Sequence, residues 1–76
     1  MREPKFKVND RVYVFALGQP IKLYIGTVRE VYGPNYYEVI DYNNNKHFLV
    51  EERLLSLFDQ KEKRLKIAEL IGDTSI

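Results

Sequence analysis

The sequence predicts an all-β domain with a helix at its C-terminus, five short strands closing into a small barrel. Three observations carry this. Aromatic and β-branched residues alternate with polar ones at period two in several short runs. Turn residues separate these runs at close spacing, which favours a small closed barrel over a sandwich. Beyond Phe58 the spacing becomes helical. Closure would also remove the free edges that a five-stranded sheet otherwise presents. With 76 residues, the chain is long enough for one domain and one modest core.

Taken in order, residues 1–5 read as a flexible polar lead, and Phe6 and Val8 are the first that can reach the body of the fold. Arg11-Val12-Tyr13-Val14-Phe15 alternates as a strand, and Gly18-Gln19-Pro20 breaks it. Lys22 to Tyr32 is a longer second strand, in which Gly26 predicts a bulge or a sharp bend. Gly33-Pro34-Asn35 is a turn, Tyr36 to Tyr42 a third strand, and Asn43-Asn44-Asn45 a second turn, because asparagine tolerates left-handed backbone angles. Lys46 to Val50 is a fourth strand, Glu51-Glu52-Arg53 one helical turn, and Leu54 to Phe58 a short last strand. The barrel thus spans 6–58 and the helix 59–72, with a frayed end at 73–76.

Asp59, followed three residues later by Glu62, has the spacing of a capping box. It opens a helix over Lys61 to Ile71, with Gly72 as its C′ stop and Glu62–Lys66 as an i,i+4 pair. Ile67, Ala68 and Ile71, flanked by Leu65 and Leu70, form a broad apolar arc that should lie on the barrel or on a partner.

Composition narrows the function. There is no cysteine, which removes disulfides and thiolate metal sites, and the single histidine, His47, is too little for a metal centre. No apolar run approaches a membrane span, and Met1-Arg2-Glu3-Pro4-Lys5 is too charged to open the apolar region of a signal peptide. A net charge of +1 argues against a dedicated nucleic-acid binder but leaves local patches open. A glycine-rich phosphate loop, a nucleophile elbow and a metal constellation are all absent. The expectation is a binding module with no cofactor and no catalytic residues.

Several runs resemble Tudor and chromo-barrel domains. Phe6-Lys7-Val8-Asn9-Asp10-Arg11-Val12 resembles their "aromatic-x-x-Gly-Asp/Glu-x-Val" opening, and Lys22-Leu23-Tyr24-Ile25-Gly26-Thr27-Val28-Arg29-Glu30-Val31 their second strand. Tyr37-Glu38-Val39-Ile40-Asp41-Tyr42 resembles their "Tyr-x-Val-His-Tyr" strand, and Val50-Glu51-Glu52-Arg53-Leu54-Leu55 their closing "Val-x-x-x-Arg-Leu/Ile-Leu". The charged helix is similar to the one that follows the chromo barrel in the MRG and male-specific-lethal chromatin proteins. The resemblance implies a five-stranded SH3-like barrel, a nuclear location within a larger chromatin complex, and a methylated lysine of a histone peptide as ligand.

In that family the methylated ammonium sits in an aromatic cage, where each ring contributes about 0.5 to 2 kcal/mol of cation–π attraction. By position, Tyr24 and Tyr42 match the cage tyrosines. The family's two following tryptophans are missing here, and Asn45 and His47 or Phe48 stand near their places. The implied site is a partial cage of Tyr24, Tyr42 and Phe48, with Phe15 as a further wall. Asp41 and Glu38 would lie close enough for a carboxylate to bond a mono- or dimethylated ammonium.

Plainer readings compete with each of these. Tyr24 and Tyr42 can simply cover a barrel mouth with the ring buried and the hydroxyl wet. Tyr13, Tyr32, Tyr36 and Tyr37 read as strand-surface or core residues. His47 reads as a half-exposed strand residue. Lys61, Lys63, Arg64 and Lys66 read as a solvated helix face, because Arg64 falls in the apolar arc and Lys66 opposite it. The alternatives to a methyl-lysine reader are RNA or DNA contact through Lys61, Lys63 and Arg64, or a protein-interaction barrel without a cage.

Overall fold

The computed structural model describes residues 4–72, so the frayed end expected at 73–76 lies outside the described residues. Five strands appear in the order of the sequence: β1 (Arg11–Ala16), β2 (Lys22–Tyr32), β3 (Tyr36–Asp41), β4 (His47–Glu51) and β5 (Leu55–Leu57). A 3-10 turn, Glu52–Leu54, joins β4 to β5, and an α-helix, α1 (Gln60–Gly72), follows. All pairings are antiparallel, and the strands lie side by side as β4-β3-β2-β1-β5.

The sheet is not closed, which corrects the expectation of a closed barrel. β4 and β5 are its two edges rather than hydrogen-bonded neighbours. The link between them is a 3-10 turn instead of a hairpin, and it carries β5 across to β1. There β5 pairs only along Val12, Tyr13 and Val14, leaving Phe15 and Ala16 beyond its reach.

One face of the sheet holds the core. Val12 and Val14 of β1, Val28 of β2, Tyr37 and Val39 of β3, Val50 of β4 and Leu55 of β5 pack together with Phe6 from the N-terminal segment. The alternating pattern of each strand places these residues inward. Phe6 meets the Tyr37 ring edge-on with centroids 5.4 Å apart, while Val8 stays exposed. The Tyr37 hydroxyl donates to the buried Glu52 carboxylate at 2.5 Å and accepts the Lys5 backbone N–H at 3.0 Å. Lys5 is thereby tied to the core through its backbone.

The irregularity predicted in β2 sits further along the strand. Register with β3 shifts between Val28 and Glu30, so Arg29 is the extra residue of a bulge. The bulge switches which residues face inward, from Gly26 and Val28 before it to Val31, opposite Tyr37, after it. Gly26 has a different task. A Cβ there would collide with the Val39 side chain and lie 2.8 Å from the Ile40 carbonyl oxygen, so glycine lets β3 approach. Of the two turns, Gly33 takes φ 64° in the first and Asn45 φ 57° in the second.

The helix begins where the sequence places it. Asp59 Oδ1 accepts the Glu62 N–H at 3.0 Å, the N-cap half of a capping box. Its inner stripe differs from the predicted arc. Lys63, Lys66, Ile67 and Leu70 are the half-buried positions, at the i, i+3, i+4, i+7 spacing of one face. Ala68 is exposed, and so are Leu65 and Ile71. Lysine serves on this inner face because its aliphatic stem covers apolar surface while the ammonium reaches water. The Lys66 side chain is only 13% exposed and pairs with Glu69 at 3.2 Å rather than with Glu62. Gly72 belongs to the helix and has no left-handed backbone angle, so it is not the C′ stop.

Candidate binding site

The site starts from Tyr24. Tyr24 pairs with Val14 and Gly26 with Val12, so Tyr24 stands on the core face, just beyond the packed centre. Phe48 reaches the same face through its pairing with Val39. The two rings lie with centroids 6.2 Å apart at an interplanar angle of 35°. Together with Phe15, Tyr36, Glu51 and Leu54 they line a cavity of about 520 Å³. Its walls come from β1 at Val14–Ala16 and β4 at 48–51, strands that are not neighbours in the sheet. The cavity is therefore the gap that the open sheet leaves.

Phe15 borders the cavity but turns its ring to the other face of β1, 6.5 Å from the Tyr13 ring, while Tyr24 is partly exposed at the mouth and Tyr36 reaches the rim from the outer face. At the rim the Glu51 carboxylate accepts the Arg53 Nε–H at 2.8 Å, both side chains being well exposed. Rings beside a single rim carboxylate can hold a weakly hydrated organic cation or an apolar side chain. A larger apolar groove of about 700 Å³ lies between the 17–21 loop and α1, lined by Leu17, Pro20, Leu23, Ile67, Leu70 and Ile71. Phe15 is its only ring.

Tyr42 lies elsewhere. Its N–H bonds the Ile25 carbonyl at 2.9 Å, and its ring is 64% exposed and carries the Arg11 guanidinium 5.2 Å from its centroid. Arg11 also lies 5.9 Å from the Phe58 ring, which stacks on Tyr13 at 4.9 Å. Tyr42 thus joins a cation–aromatic column on the outer face, away from Tyr24. Asp41 is buried and shapes the turn: its Oδ1 accepts the Asn43 N–H at 2.7 Å and its carbonyl the Asn45 N–H at 3.0 Å. Asn45 supplies the left-handed residue of that turn. His47 sits on the outer face of β4 with Nδ1 2.7 Å from a Glu38 carboxylate oxygen.

Among the basic residues, Lys61 and Arg64 are exposed, whereas Lys63 lies over the Tyr13 ring at 5.4 Å. Of the residues proposed for a cage, the structure brings together the rings of Tyr24 and Phe48; it turns the Phe15 ring to the other face of β1 and places Tyr42, Asn45, His47 and Asp41 outside the cavity. It adds Tyr36, an exposed strand tyrosine as the sequence reading has it, which reaches the cavity rim from the outer face opposite Glu51, a placement that no local pattern encodes.

Among the described residues no group of His, Asp or Glu side chains could hold a metal ion, and no helix is long and apolar enough to cross a membrane. Comparison of the chain with protein-family models, curated proteins and solved structures finds no match.

Proposed function

We propose that this chain is a binding module, an SH3-like barrel of the Tudor and chromo-barrel kind that reads a methylated lysine on an extended peptide. A histone tail is the peptide implied by the resemblance, and a nuclear chromatin complex the setting. The observation that carries the reading is the meeting of the Tyr24 and Phe48 rings in one open cavity, with Tyr36 and a carboxylate at its rim. A methylated ammonium is poorly hydrated and hydrogen-bonds weakly, so rings replace water at little cost and add cation–π attraction. The cage is narrower than the resemblance implies: Tyr36 takes part, and Tyr42, engaged with Arg11, does not.

Nucleic-acid contact through Lys61, Lys63 and Arg64 has less support. Lys63 is laid against Tyr13, and the acidic Glu62 is exposed between the other two.

The test is an NMR titration with trimethylated and unmodified versions of one lysine peptide. Shifts should concentrate on Tyr24, Tyr36 and Phe48, and Tyr24→Ala or Phe48→Ala should weaken binding about tenfold, the effect of losing one desolvated ring. Tyr42→Ala should leave affinity within about twofold, since its ring lies outside the cavity. Equal binding of the two peptides would sink the reading.

A further inference from the structure

The free edge of β4 has a self-complementary geometry. In an antiparallel ladder the backbone of alternate residues points to one neighbour or the other. The Asp41 N–H donates to the Lys46 carbonyl at 2.8 Å and the Glu52 N–H to the Asn35 carbonyl at 2.7 Å, which fixes the phase. With the observed register, Phe48 and Val50 turn their backbone toward β3, like Lys46 and Glu52 on either side. His47, Leu49 and Glu51 therefore aim their N–H and C=O groups off the sheet, where no strand among the described residues lies beside β4.

We infer that this edge pairs with β4 of a second copy of the chain, antiparallel and centred on Leu49. In that register Leu49 meets Leu49 of the second copy, and His47 meets Glu51 of the second copy, twice by symmetry. It is the one antiparallel register that pairs all three outward-facing residues. Shifting by one residue sets outward backbone groups against inward ones and breaks the ladder. Shifting by two in either direction leaves one of the three unpaired and separates the charges. Larger shifts bring His47 against His47 or Glu51 against Glu51.

Beyond the strand, Asn45 comes opposite Arg53 of the second copy, so no like charges meet there. The side chains involved favour the same partner. Leu49 is 67% exposed, and Tyr32 and Tyr36 beside it extend an apolar outer patch to the edge. The free edge has neither proline nor an inward charge to discourage pairing. A two-fold contact of this kind closes on itself and gives a dimer rather than a fibre.

The dimer does not rest on the reading of the aromatic cavity, and its test needs no peptide. Sedimentation equilibrium of the full chain, taken up to about 1 mM where weak pairs still populate, should show the mass rising from 9.0 kDa toward twice that value. Leu49→Lys and Leu49→Pro should both stay monomeric. The proline is compatible with the fold, because the Leu49 N–H is not used within the sheet, and circular dichroism of each variant verifies this. Leu57→Lys, on the opposite edge, should dimerise like the parent. In the parent, amide exchange at His47, Leu49 and Glu51 should slow as concentration rises. A monomer at every concentration overturns the proposal, as does a dimer that survives Leu49→Lys. Loss of the dimer in Leu57→Lys overturns it too, since β5 would then be part of the contact.

Discussion

Gly26 shows how much one missing methyl group decides. β3 crosses β2 so closely at this point that a Cβ would strike Val39 and crowd the Ile40 carbonyl. Gly26→Ala should therefore destabilise the domain by about 1–3 kcal/mol, the usual cost of overpacking. In a domain of this size that lowers the thermal midpoint by about 4–8 °C per kcal/mol, which a melting curve resolves. An unchanged midpoint would show that Val39 repacks without strain. The sequence marks Gly26 as special, but its predicted bulge lies at Arg29, because a glycine in a strand looks the same whether it bends the chain or admits a neighbour. Tyr24 is legible from strand alternation alone, whereas the outward placement of Tyr42 depends on a turn built by Asp41 and Asn45. The Arg11 guanidinium that occupies the Tyr42 ring comes from a distant strand, so no local pattern could reveal it.

The elements themselves are read well from sequence where a period or a cap defines them. β2 matches its predicted span residue for residue, and the other strands differ at their ends by a residue or so, where assignments ordinarily vary. α1 illustrates both the reach and the limit of such reading. Its start is set by Asp59, and Asp59→Ala should cost about 1 kcal/mol, the usual worth of a helix N-cap. The loss should appear as reduced helical dichroism together with a lower thermal midpoint; full helicity retained in the variant would count against the cap. Hydrophobicity alone misplaces its inner face. Lys63 and Lys66 lie inward by virtue of their stems, over Tyr13 and along the groove beside β5, while the more apolar Leu65 and Ile71 stay about half exposed. A composition-based arc cannot distinguish a lysine lying flat on a ring from one extended into water.

For the molecule as a whole, the decisive property is that the sheet stays open. The predicted closed barrel would have had neither a free β4 edge nor a gap beside Phe48. The open sheet has both, so the candidate cavity and the proposed self-pairing edge share one origin. This was the least legible level. Which strands neighbour each other depends on the 3-10 turn at Glu52–Leu54 and on a β5 of three residues, and neither carries a strong sequence signal. The division between sheet and helix has a further consequence. The core cluster is supplied by the strands and Phe6, and no residue of α1 is fully buried. Such a helix forms a unit that can detach while the rest remains folded. Native-state hydrogen exchange should find the α1 amides opening at a lower free energy, and with less denaturant sensitivity, than those of Val28 and Val39. Exchange of both sets through a single global opening would show the two parts to be one cooperative unit. If α1 does detach separately, its release would uncover Tyr13 and the outer side of β5, giving this small domain two native surfaces in place of one.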